Sequence, residues 1–455
     1  MALHVAKIHA ICKKKSTDKS KLPMRQFCTV KNQANFLATI SAIRNRFMKQ
    51  IFRSLQIFTL TLGVALGGLL HVANAVAQIN VRAEVAKPLK AAQDALQSGQ
   101  PEAAAALAQQ ALTLPELTAI ERNAILRTLA VASSQAKNFV LAVSSLESLI
   151  QELPSTAKDA EKRPLVEALL SASQQAQDYP RLVLWARQYF KLEGSNPSVR
   201  PVLIQTLALL QRHQEVVQEV QEKIKLDASA GLKTPETEYR LMAFSQRQLK
   251  DEEGYNASLK LLLQNHPSKA YWAEIIPRMA RQSSFNPRFD LDLYRLLEAT
   301  GNVQDTVEYM DMINLASKAG LPAEALRVID AAYSNGVLGK GSEAATHQKL
   351  RQQIQQRAAE DDKSLPALEK SAKDGPAWSS LADVYAAKQN WELANTAYAK
   401  ALSLGGLKRE VETRLHFALS LFQAGKKPEA LKMLETVQGD ATAMELAKLW
   451  KLWMA

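Results

Sequence analysis

Past residue 77 the chain carries four histidines, His213, His266, His347 and His416, and no cysteine. None of the four has a second His or a Cys at metal-ligand spacing, so no zinc-type site is expected. The stretch Gly336-Val337-Leu338-Gly339-Lys340-Gly341-Ser342 has the glycines and lysine of a phosphate cradle, but not the G-x4-G-K-[ST] order, and no strand precedes it. A G-x-S-x-G elbow for acyl transfer is missing. Acidic clusters at 251–253 and 361–362 fall at expected helix–helix turns and read as solvated faces. Asp290, Asp292 and Glu298 read as helix-surface charges, and His416 as an ordinary helix residue. No catalytic residue, metal or cofactor is therefore expected. The enzymatic alternative, a cell-envelope enzyme or enzyme accessory, would need two close titratable groups in a cleft of the irregular 267–300 region.

Charge removes another class. The chain has 57 basic and 45 acidic residues, a net of +12. Residues 1–77 hold 12 of the basic ones and a single acid, Asp18, which leaves 45 against 44 for the rest, a net of +1. A near-neutral body lacks the electrostatic footprint of a nucleic-acid binder. Both cysteines, Cys12 and Cys28, also lie in that leader region, and a Cys-free body suits an oxidising compartment.

From Met48 a short basic start (Lys49, Arg53) leads into an apolar run over 57–70, then Ala73-Asn74-Ala75 and Ala75-Val76-Ala77. This is the layout of a secretory signal peptide over 48–77, and fourteen apolar residues are short for a span of roughly 20. The expectation is a periplasmic protein maturing at Gln78 or Val76, with an inner-membrane anchor if the leader stays uncleaved. Residues 1–47 do not fit that layout and read as a non-native or untranslated extension, translation starting at Met48; a basic targeting extension is the alternative.

Everything after the leader has helical period, with paired amphipathic stretches. The sharpest pair is 375–406, where Trp378, Leu381, Ala382 and Tyr385 share one helix face at i, i+3, i+4, i+7 spacing. A break at 388–390 follows, then Ala394, Tyr398 and Ala401 mark a second helix that stops at Gly405-Gly406. Small residues fit where two helices cross closely, and the aromatics fill around the crossing. Similar pairs are expected over 88–114, 120–154, 164–190, 201–224, 236–263 and 307–332. A polar helix or linker follows over 336–360, and the last pair covers 412–437. The stretch 269–297, with Pro277 and Pro287, departs most. A final helix over 441–453 would cap the stack with Leu446, Leu449, Trp450 and Trp453.

These residues resemble the tetratricopeptide (TPR) repeat, W-x2-L-G-x2-Y followed by Ala, an aromatic and Ala. The resemblance implies an all-α, right-handed superhelical solenoid of TPR-like hairpins with a C-terminal capping helix. N-terminal hairpins would occupy 78–267, irregular helical repeats 268–360, and C-terminal repeats with the cap 361–455. It also implies a concave groove lined by the first helix of each hairpin. By repeat position the groove residues are Arg127, Val131 and Gln135, then Ser379, Asp383 and Ala387, then Leu415, Leu419 and Phe422. The alternative for Leu415, Leu419 and Phe422 is packing on the capping helix; for Asp383 and Arg127 it is plain solvent exposure. The Lys/Asn set that clamps a peptide carboxylate is not visible there, so the expected ligand is an extended or helical protein segment.

A second resemblance rests on Tyr271-Trp272 after His266-Pro267, on Leu293-Tyr294-Arg295, and on Val437-Gln438-Gly439-Asp440 before Leu446-Ala447-Lys448-Leu449-Trp450. It is to secreted proteobacterial TPR proteins, some associated with TonB energy transduction. The expected partner is thus an envelope-associated protein, with no nucleic acid and no membrane contact unless the leader is retained.

Overall fold

A computed structural model describes residues 81–455; the expected leader at 48–77 and the segment 1–47 lie outside the described residues. Those residues form twenty α-helices and two 3-10 turns, with no strand among them, and no described helix is long and apolar enough to cross a membrane. They fall into two compact units that divide between Tyr255 and Asn256.

The first unit contains α1 (Ala83–Gln97), α2 (Pro101–Leu112), α3 (Ala119–Gln135), α4 (Phe139–Gln151), α5 (Asp159–Gln175), α6 (Tyr179–Lys191), α7 (Val199–Leu209), α8 (His213–Ser229) and α9 (Glu236–Gln248). Each helix packs on the next, and α1 also touches α3, as antiparallel hairpins in a stack must. Alanines sit at the crossings: Ala92, Ala104, Ala108, Ala111, Ala142 and Ala186 are fully buried. A larger side chain at such a point would force the helices apart, at a typical cost of about 1–3 kcal/mol. The helix α10 (Glu252–Asn265) bridges the division.

One local device recurs in both units. The first helix of a hairpin ends with a residue in the left-handed region, and the next N–H closes a six-residue bond onto the helix. Asn138 N–H donates to Ser133 O (2.8 Å), Asp178 to Ser173 O (2.9 Å), Asp251 to Gln246 O (2.9 Å) and Asn390 to Tyr385 O (2.9 Å). The left-handed residues are Lys137, Gln177, Lys250 and Gln389, where most helices use glycine. Asn138, Asp178 and Asn390 then cap the second helix with their side-chain oxygens. This turn fixes the hairpin from five or six residues of local sequence.

The second unit runs through α11 (Lys269–Ala280), α12 (Asp290–Ala299), α13 (Thr306–Lys318), α14 (Pro322–Ser334), α15 (Ala344–Ser371), α16 (Gly375–Ala387), α17 (Trp391–Leu404), α18 (Glu410–Gln423), α19 (Lys427–Glu435) and α20 (Ala441–Met454). The expected crossing residues Ala382, Ala394 and Ala401 are fully buried, as are Ala418 and Ala430. Gly375 shows how close α16 and α17 come, since a Cβ there would run into the Gly405 carbonyl oxygen. The polar stretch after 336 becomes the 28-residue α15. Asp361 and Asp362 therefore lie inside a helix and not at a turn; Asp362 pairs with Lys388 at 2.6 Å.

The cap does more than cover the last repeat. Leu446, Leu449 and Trp450 are buried, and α20 packs on α18, α19 and also α12. Asp440, its N-cap, accepts the Ala443 N–H through Oδ1 and Asn286 Nδ2 through Oδ2 (both 3.0 Å). Thr442 Oγ1 accepts the Asn286 N–H at 2.8 Å. Trp453, expected to help cap the stack, stays 38% exposed with its ring edge-on to Trp272 at 6.0 Å. The turn around Pro287, which looked like an interruption, is thus the seat for the C-terminal helix, and the second unit closes on itself.

Candidate functional site

Closure brings α12, α14, α16, α17, α18 and α20 around a cavity of about 200 Å³. Its floor is charged. The acid and arginine three residues apart on α12, Asp292 and Arg295, share a face with Glu298; Glu324 and Arg327 repeat the spacing on α14. Arg295 grips Glu324 with two bonds, Nε to Oε1 at 2.9 Å and Nη2 to Oε2 at 2.6 Å, and its Nη1 donates to Asp292 Oδ1 at 2.8 Å. Arg327 grips Glu298 the same way, at 2.7 and 2.8 Å. Planar two-point pairing of this kind is the strong form of an arginine–carboxylate contact.

His416 on α18 joins this floor to α16. Its Nε2 is 2.9 Å from Asp292 Oδ1 and its Nδ1 is 2.8 Å from Asp383 Oδ1, while the Tyr398 hydroxyl donates to the same Asp383 oxygen at 2.7 Å. An imidazole with a carboxylate on each nitrogen needs both N–H groups. Burial opposes its charge, but Asp292 and Asp383 outweigh burial and push the His416 pKa up to about 10. By the same balance burial would raise Asp292, yet His416 and Arg295 hold it at about 2. Burial likewise disfavours an ionised Asp383, and His416 with Tyr398 keeps it below the usual carboxylate range. Burial and the Asp383 charge drive the Tyr398 phenol well above its ordinary value. With His416 protonated, three cations face four carboxylates, a net of −1.

The rest of the lining is aromatic and apolar, from Trp391, Leu419, Phe422 and Trp450. Two buried wall atoms, Trp450 Nε1 and Ser420 Oγ, have no hydrogen-bond partner among the described residues. Outward, a shallower recess shares Trp391, Gln389 and Gln423 with the cavity.

Of the groove residues expected from repeat position, Asp383, Ala387, Leu419 and Phe422 do line this cavity. Ser379 shares a hydrogen bond with Thr413 (2.8 Å). Leu415 does not face a groove: it is 0% exposed and belongs to the core. Val131 is a second correction, 4% exposed and packed with Leu126, Val143 and Leu165. A first helix with neighbours on both sides buries more than one stripe, so a position four residues along from a groove residue can already point into the next hairpin. In the first unit Arg127 is half-buried, its Nε donating to Asn123 Oδ1 at 2.7 Å, and burial lowers its pKa; Gln135 is exposed at the end of α3. Asp292, read above as a helix-surface charge, and His416, read as an ordinary helix residue, are the centre of the network. The missed signal was the repeated acid-x-x-Arg spacing at 292/295 and 324/327, on helices whose other face residues are apolar.

The other histidines have local roles. His213 Nδ1 lies 3.3 Å from Ser245 Oγ, its ring edge-on to Phe244, and His347 accepts the Gly339 N–H at 3.4 Å. No group of three or more His, Cys, Asp or Glu that could hold a metal occurs among the described residues.

No family model and no curated protein matches the chain. Among solved structures it is similar to a tetratricopeptide repeat protein from Parabacteroides merdae, at 12% identity over 74% of this chain and 99% of that one, with a TM-score of 0.27. Yeast Tom70 gives 11% identity over 81% and 88%, TM-score 0.23. The TPR2AB domain of yeast Sti1, solved with pHSP90, gives 12% over 82% and 98%, TM-score 0.21. What fixes the fold type is the chain's own geometry, successive helix pairs, most of them with buried alanines where they cross, and one repeated turn: this is an all-α, TPR-like helical repeat protein.

Proposed function

We propose that this chain is a periplasmic scaffold or adaptor that holds a segment of a partner protein in an envelope complex, and that the segment docks at the cavity of the second unit. The TonB-type transport systems implied by the sequence resemblance are the envelope complexes to test first. The observation that carries the docking reading is a cavity lined by aromatic and apolar side chains beside charged groups whose ion pairs are already made. Such a site offers shape, apolar contact and orphan polar atoms to a ligand.

The alternative, an enzyme or enzyme accessory using the 267–300 region, gains one point: Arg295 and Glu298 line the cavity, with Asp292 bonded to Arg295 behind the lining. Proton-transfer chemistry, however, works best with a group whose pKa lies near the working pH. His416 is held protonated far above neutrality and Asp292 ionised far below it. The pairing that builds the floor also takes these groups out of acid–base work, which favours binding.

The test is site-specific photo-cross-linking in cells expressing the protein from Met48, with benzoyl-phenylalanine at Trp391 or at Phe422, and mass spectrometry of adducts and of the mature N-terminus. One reproducible envelope-protein adduct from these positions, absent from the same probe at exposed Val140, is the expected result. Processing near Gln78 without any adduct sinks the docking reading, and an unprocessed, cytoplasmic chain sinks the periplasmic one.

A further inference from the structure

The ion-pair network beneath the cavity, with Asp292 lying behind the lining, is one positive charge short of neutral, and on the lining itself one carboxylate oxygen is left open. Glu298 and Glu324 spend both oxygens on Arg327 and Arg295. Asp292 and Asp383 each use only Oδ1, Asp292 for Arg295 and His416, Asp383 for His416 and Tyr398, and of the two only Asp383 lines the cavity; its Oδ2 makes no hydrogen bond among the described residues. Its side chain is 30% exposed, so that oxygen is open to whatever fills the cavity. The lining also includes Trp391 and Phe422, aromatic faces that attract a cation. Ser420, 1% exposed, has a hydroxyl without a partner, and Trp450, 3% exposed, an indole N–H without one. Buried polar atoms are seldom left unpaired in a native protein, and an unfilled site is one of the few reasons for it.

We infer that the cavity is a pocket for a single arginine side chain presented by the partner segment. The guanidinium donates to Asp383 Oδ2 and to Ser420 Oγ, and its flat face lies against the aromatic lining, a combination a compact lysine ammonium reproduces poorly. A water in the remaining volume accepts the Trp450 N–H. The guanidinium brings the floor to neutrality, so desolvating it is offset by the charge that awaits it. A carboxylate in the same place would meet a site already negative. This inference rests on the docking reading above and adds the residue that the partner contributes.

The full-length chain is titrated with the blocked pentapeptide acetyl-Gly-Gly-Arg-Gly-Gly-amide, and with versions carrying citrulline, lysine or norleucine in place of arginine. Tryptophan fluorescence and calorimetry follow the binding. Citrulline keeps the shape and removes the charge. The expected result is saturable binding of the arginine peptide, weakened by at least about tenfold for citrulline and norleucine and by a smaller factor for lysine. Asp383→Asn and Trp391→Ala should each weaken it by a similar factor. Trp391→Ala is the safer variant because it leaves the ion pairs intact, and circular dichroism checks that both remain folded. Val140→Ser, in the first unit, should bind as the parent does. Equal affinity for arginine and citrulline peptides, no binding of the arginine peptide, or full affinity in both folded cavity variants overturns the arginine assignment. If the arginine peptide fails while cross-links from Trp391 still capture a partner, docking stands and only the arginine is wrong. Loss of both removes the docking reading as well.

Discussion

The two units use the same helix hairpin and the same turn, yet they pair charge over very different lengths of chain. In the first unit charges reach no further than nearby hairpins: Arg127 leans on Asn123 one turn away, the Tyr189 hydroxyl bonds Glu167 of the neighbouring helix at 2.7 Å, and Arg82 grips the buried Glu121 across 39 positions. In the second unit, residues from five helices meet, with Asp292 and His416 separated by 124 positions. The difference follows from the seat around Asn286 that receives the C-terminal helix. An open row of hairpins keeps neighbours in sequence as neighbours in space, whereas a row closed by a returning helix forces distant inner faces together and takes their charges out of water. Those charges must then pair or neutralise.

This contrast is sharpest at the two arginines. Arg295→Met leaves Glu324 and Asp292 buried without their cation and should destabilise the second unit by about 3–5 kcal/mol. Arg127→Met removes a half-buried cation with a neutral partner and should change the first unit by about 1 kcal/mol or less. Hydrogen exchange resolved along the chain reads both. Similar effects in the two units would mean that the network is not the load that the second unit carries.

Acidity should separate the units too. The folded pKa of His416, about 10, lies above its ordinary 6.5, so its contribution is complete below pH 6.5 and is lost as pH rises toward 10. Asp292, held at about 2 against an ordinary 3.8, contributes above 3.8 and loses that as pH falls toward 2. In the first unit burial lifts Glu238 to about 7 despite Lys223 nearby. Its raised pKa favours the fold below the ordinary 4.5, and that advantage fades as pH rises through 7. Unfolding followed from pH 4 to 10 should therefore show the first unit weakening at a lower pH than the second, and His416→Gln should flatten the alkaline limb of the second unit alone.

Smaller effects test closure and the shared turn. Asp440→Ala removes both the cap of α20 and its bond to Asn286, and should cost about 1–2 kcal/mol. Exchange should quicken in α20 and around Asn286 together; quickening in α20 alone would mean the latch is not a unit. At the turns, Lys137→Gly and Gln389→Gly relieve a left-handed backbone and should each stabilise by up to about 1 kcal/mol. Equal gains in both units would show that the local device is common and that only the tertiary arrangement differs.

What the residues told by themselves was local. The face Trp378, Leu381, Ala382, Tyr385, the crossing alanines and the break at 388–390 placed the hairpins, because helix period, capping and turn chemistry act over a few residues. Even Asp383, Leu419 and Phe422 were legible as inner-face positions of a repeat. Leu415 and Val131 were misplaced, since only the packing of neighbours decides how wide a buried stripe becomes. The pairing of Asp292 with His416, the open oxygen of Asp383 and the return of α20 onto Asn286 were not written in any window of sequence. Each depends on the small angle by which every hairpin is set against the last, and those angles add up only over the whole second unit.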